Sequence, residues 1–117
     1  MIYITIERVS RKDAHIQAFV SEGHAEYDVP GKDLVCAAVS AITVGTVNSI
    51  EALTGVVAIS EMKKGLLNIT LPELPESEKA KASQVQLLLE SMVVMLQTIQ
   101  ESYSDYITID TIYSKGG

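Results

Sequence analysis

Among its 117 residues the chain has a single cysteine, a single phenylalanine and no tryptophan. One thiol cannot close an intrachain disulfide or supply a zinc site built on several cysteines. Positive charge is also scarce: nine Lys and Arg stand against fifteen Asp and Glu, a net charge of −6. No basic cluster interrupts that excess. The electrostatic attraction that a nucleic-acid backbone requires is therefore weak, and no direct nucleic-acid partner is expected. Long uninterrupted apolar runs are missing too, and nothing approaches the roughly 18 consecutive apolar residues of a membrane span. The N-terminus alternates apolar and polar residues and meets Glu7 and Arg8, unlike the basic-then-apolar course of a signal peptide. No membrane association and a cytoplasmic location are expected, a setting that suits a lone thiol.

What is present is apolar. Hydrophobic residues make up 47% of the chain and mean hydropathy is +0.21, enough for a real core in one domain over residues 1–117. A domain this small leaves much of its surface in water, so part of that apolar content is expected to be covered in a homo-oligomer. An acidic surface would accept a basic protein partner.

Patterning gives the elements. Ile2, Ile4 and Ile6 recur with period two and predict a strand; a polar turn at 11–13 leads to a second strand over 15–21. Residues 22–32 hold two glycines, a proline and three acids and predict an irregular loop. Asp33 is a credible N-cap for a helix from Leu34 to Leu53, apolar almost all round and therefore buried, with Gly45 in its interior pointing to a close backbone approach. Strands over 56–60 and 66–71 flank a turn at 61–65. A second helix runs from residue 76 or 77 to about Tyr103, with Val85, Leu89, Met92, Leu96, Ile99 and Tyr103 on its core stripe. Leu87, Leu88, Val93 and Val94 widen that apolar surface, either as core or as a subunit interface. A last strand spans 106–113. The order β-β-α-β-β-α-β predicts an α+β fold, a mostly antiparallel sheet covered by two main helices.

Cys36 is where chemistry gathers. With Asp33 as cap it is the third helical residue, where free N–H groups and the helix dipole favour an anion, and a thiolate is the nucleophilic form. His24 stands twelve positions earlier, beyond a Gly- and Pro-containing loop long enough to fold back, and could act as general base and later protonate a leaving amine. Backbone N–H groups of residues 36–38 could form an oxyanion hole. Ser40 shares the helix face of Cys36. Each residue has a plainer reading: a packing thiol, a solvated histidine, a cap, a serine bonded to its own backbone. His15 looks incidental. No two of these residues show a standard metal-ligand spacing, so neither metal nor cofactor is expected.

Gly23-His24-Ala25, then Gly31-x-Asp33-x-Val35-Cys36-Ala37-Ala38-Val39-Ser40-Ala41, then Gly45-x-Val47-Asn48-Ser49 and residues 96–103, resemble the ribosomal-processing cysteine proteases of the Prp family. The likeness spans nearly the whole chain. Ala38 departs from the glycine of many relatives, and the middle hairpin and residues 72–84 match only loosely. The resemblance implies a catalytic dyad at His24 and Cys36, with Asp33 and Ser40 in possible supporting roles. It implies removal of an N-terminal extension from a large-subunit ribosomal protein in Firmicutes and related bacteria, in support of ribosome assembly. It also implies a homodimer and a substrate-gating loop containing Glu22, Gly23, Ala25, Tyr27 and Gly31. The rival readings are a non-catalytic ribosome-assembly binding module and a hydrolase of small thioesters or amides.

Overall fold

Isoleucine at every second position of the first strand makes one side of it apolar, and that side becomes the floor of the core. In the computed structural model, which describes residues 1–23 and 32–115, with side chains from 34 in the second stretch, Ile2, Ile4 and Ile6 are all buried while Tyr3 between them is 51% exposed. The elements in chain order are β1 (Ile2–Arg8), β2 (Ile16–Glu22), α1 (Lys32–Thr54), β3 (Ile59–Lys63), β4 (Leu66–Thr70), a short 3-10 turn (Glu76–Glu78), α2 (Lys79–Ser102) and β5 (Ile107–Tyr113). This is the predicted α+β order.

The five strands form one sheet in the order β3-β4-β2-β1-β5. Pairings β1–β2, β2–β4 and β3–β4 are antiparallel, and β1–β5 is parallel because α2 carries the chain back across the layer. Register places Ile6, Phe19 and Ile69 in one row across β1, β2 and β4. All three are buried against the helices. At the β1–β2 bulge the side-chain amide of Gln86 on α2 satisfies Ile16, accepting from its N–H at 2.8 Å and donating to its carbonyl at 2.9 Å.

Three expectations change. Helix α1 is not buried on every side: Val35, Val39, Thr43, Thr46 and Ile50 turn inward, whereas Leu34 and Leu53 are 63% and 71% exposed. A two-layer fold covers only one face of each helix. The inward threonines are admitted because their hydroxyls donate to carbonyls one turn back, Thr43 to Val39 at 2.8 Å and Thr46 to Ile42 at 2.6 Å. Gly45 marks no close approach, since nothing lies within 4 Å of where its Cβ would stand. The β3–β4 turn is only Lys64-Gly65, with Gly65 at φ 78°, so the strands extend into residues whose charge suggested a loop.

On α2 the predicted stripe is the core face from Val85 to Leu96. Val93 joins it, while Leu87 and Val94 face outward at 71% and 60% exposure. By length and composition alone both helices would suffice to cross a bilayer, yet each lays an apolar face on the sheet.

Candidate active site

Helix α1 opens at Lys32, so Asp33 lies within its first turn instead of capping it, and Cys36 is the fifth helical residue instead of the third. Two consequences follow. The N–H groups of residues 36–38 are committed to the carbonyls of 32–34 in the helical ladder, which removes them as oxyanion donors while the helix is intact. The anion preference of the dipole, strongest in the first turn, is weaker at Cys36 than at the predicted position.

Cys36 nevertheless faces a cleft. A depression of about 660 Å³ lies between the first half of α1 and the sheet end formed by β2, β4 and the start of β1. Cys36, Val39, Ser40 and Thr43 form its helical wall. Ile2 and the β2 end, Ser21 to Gly23, line the floor; the β3–β4 hairpin from Met62 to Leu67 lines the far side. Cys36 is partly buried and Ser40 exposed. A thiol at the wall of an open cleft can meet a substrate, which a packing thiol enclosed by core could not.

The sheet explains why the cleft ends where it does. Glu22, expected in the loop, is the last residue of β2, paired with Tyr3 of β1 and Leu66 of β4. Gly23 follows, and its N–H donates to the Gly65 carbonyl at 3.0 Å. Its φ of 149° belongs to the region that favours glycine. His24, Ala25, Tyr27 and Gly31 lie outside the described residues, as does the side chain of Asp33. His15 is remote: it sits before β2, whose length sets it roughly 25 Å from the cleft end. There it hydrogen-bonds Asp13, which that bond holds below the usual carboxylate range. Among the described residues no group of three His, Cys, Asp or Glu could hold a metal.

The hairpin wall was not legible in the sequence. Met62 is 65% exposed and Lys63 and Lys64 resemble ordinary turn charges; only strand pairing brings them opposite a thiol some 26 residues earlier in the chain. A hint existed in Gly65, a glycine that ends a charged run where a tight turn is needed.

Residues 1–108 match the family described as Cysteine protease Prp. The ribosomal processing cysteine protease Prp of Bacillus subtilis is 38% identical over 113 residues, spanning 95% of this chain and 97% of that one. The chain belongs to the Prp family of cysteine proteases. The Staphylococcus aureus protein of the same name is 31% identical, over 92% of this chain and 97% of its own length. Among solved structures, the essential ribosomal processing protease Prp of S. aureus in complex with a substrate peptide superposes with a TM-score of 0.81 at 29% identity, covering 96% of this chain and all of that one. The same protein with a covalently linked product peptide gives 0.77 at 31% identity, again over 96% of this chain and all of that one. Family membership thus makes this a thiol hydrolase of peptide bonds, and Cys36 is the only thiol that the chain contains.

Proposed function

We propose that this protease removes the N-terminal extension of a large-subunit ribosomal protein, with Cys36 as nucleophile and His24 as acid and base. Cys36 attacks the scissile carbonyl, giving its proton to the imidazole. The imidazole passes that proton to the leaving amine, and water then hydrolyses the Cys36 thioester. The observation carrying this reading is the cleft: the sole thiol of the chain lies on one wall, and Gly23, covalent neighbour of His24, lies on the floor. The names of the B. subtilis and S. aureus relatives point to a ribosomal substrate. The charge of −6 suits it, because ribosomal proteins are basic and an acidic enzyme meets them without repulsion. Asp33 and Ser40 are the candidates for supporting roles, Ser40 by its place on the same cleft wall.

The protease works in the cytoplasm as a homodimer, without nucleic acid or membrane as direct partners. The outward Leu87 and Val94 of α2 and Leu53 of α1 are apolar surface that a second copy would cover. The test is incubation of the purified enzyme with a full-length ribosomal precursor carrying its extension, read by intact mass. One cut that leaves the mature N-terminus is expected. An intact precursor beside rapid turnover of small thioesters would replace this reading with the small-molecule hydrolase.

A further inference from the structure

Two separate stretches of chain converge on Gly23. A Cβ built there would stand 2.5 Å from the Met1 carbonyl oxygen and 3.0 Å from the Ile2 Cα. Both are backbone atoms; real Cβ atoms essentially never come as close as the first and seldom as close as the second, so a substituted residue would have to displace β1 or itself. From the other side the Gly65 carbonyl at the hairpin tip accepts the Gly23 N–H at 3.0 Å. The φ of 149° adds a third constraint, since residues with a Cβ rarely adopt it. A Cβ at Gly45 or Gly55, by contrast, would meet nothing within 4 Å.

We infer that Gly23 is a positioning residue for the protease: it pins the end of β2 between β1 and the β3–β4 hairpin, and so fixes the point from which His24 departs beside the Cys36 cleft. The inference rests on the reading of His24 as the base. It replaces the expectation that Gly23 belongs to a gating loop with a role as the fixed root of that segment. Its physical basis is that a base acts only within hydrogen-bond reach of its proton, and a misplacement of about 1 Å can cost 100-fold in rate.

The experiment compares Gly23→Ala with Gly55→Ala and His24→Ala. Gly55 has φ 79° at the end of α1, away from the cleft, so alanine there brings backbone strain without the clash. Turnover of the ribosomal-extension peptide, the melting midpoint and the pH profile of Cys36 alkylation by iodoacetamide are measured for each. Gly23→Ala is expected to lose about tenfold to 100-fold in kcat with KM little changed, and its alkylation profile to move toward that of His24→Ala. Gly55→Ala is expected to melt lower and keep both kcat and profile. A folded Gly23→Ala protein with normal kcat and profile overturns the inference. If His24→Ala itself stays fully active, the underlying reading of the dyad falls instead, whatever Gly23→Ala does.

A second pair guards against misfolding. In a chain that begins at Ile2 the nearest obstacle, the Met1 carbonyl, is gone, so Gly23→Ala should cost less there than in the full chain. An equal loss in both backgrounds, or failure of both alanine variants to fold, would show that Gly23 supports the fold generally and not the place of the histidine.

Discussion

Cys36 and Ser40 stand one turn apart on the helical wall of the same cleft, the thiol partly buried and the hydroxyl exposed. That spacing follows from the 3.6-residue repeat and needs no tertiary contact. What makes it consequential is the strand end and hairpin that face it across about 660 Å³.

Replacing Cys36 with alanine or serine should abolish cleavage, by roughly 1,000-fold or more in kcat, while peptide binding persists. Calorimetric titration of the inert variant with the extension peptide checks the second half. Cleavage by purified Cys36→Ala protein would refute the nucleophile assignment.

His24→Ala should lower turnover by about 100- to 10,000-fold, the usual range for a lost acid–base group. It should also slow alkylation of Cys36 by iodoacetamide at pH 6, where an ion pair with His24 would keep sulfur reactive. A rate equal to wild type at that pH means the two side chains do not form one.

Ser40→Ala separates a supporting hydroxyl from a passive one. If the hydroxyl bonds the substrate or the thiol, kcat/KM falls by about fivefold, in keeping with roughly 1 kcal/mol for one hydrogen bond, and the melting midpoint is unmoved. Unchanged kinetics would leave Ser40 as wall only.

Arg8 of β1 grips Glu90 of α2 at two points, Nη1 to Oε2 at 2.6 Å and Nη2 to Oε1 at 2.9 Å. Hydrogen bonding by Glu90 raises the Arg8 value, and hydrogen bonding by Arg8 lowers that of Glu90, partial burial opposing both. The Glu90 side chain is 47% exposed, so solvent screening limits the pair to about 1 kcal/mol. Arg8 stays charged throughout, and the folded Glu90 value is depressed. The contribution is therefore complete above the ordinary carboxylate range, near pH 4.3, and drains away as pH falls through the lowered Glu90 value. Denaturant melts of Glu90→Gln should show a deficit at pH 7 that closes in acid; a deficit independent of pH would sink the assignment.

Gly45→Ala should stabilise the protein by up to about 1 kcal/mol, because the position is helical and open where the Cβ would stand. Destabilisation on urea titration would mean that something covers that face of α1 in solution, a second copy being the first candidate to test by light scattering.

Sequence periodicity alone determined the seven main elements, their order and the α+β class. A period of two in β1 and steps of three and four along α2 each reflect one face turned to one core, a local consequence of backbone geometry. The pairing of a lone thiol with an upstream Gly-His-Ala was equally visible. Boundaries were not: the cap placed at Asp33 lost to a helix that opens at Lys32, since neighbouring polar residues compete for that place within a residue or two. Tertiary structure alone decided that α1 is covered on one face only, that Gly45 faces open space, and that Gly23 and the hairpin around Gly65 close the cleft opposite Cys36. Those outcomes depend on which strands pair and how closely backbones approach, and such long-range contacts leave no periodic trace in a single chain of letters.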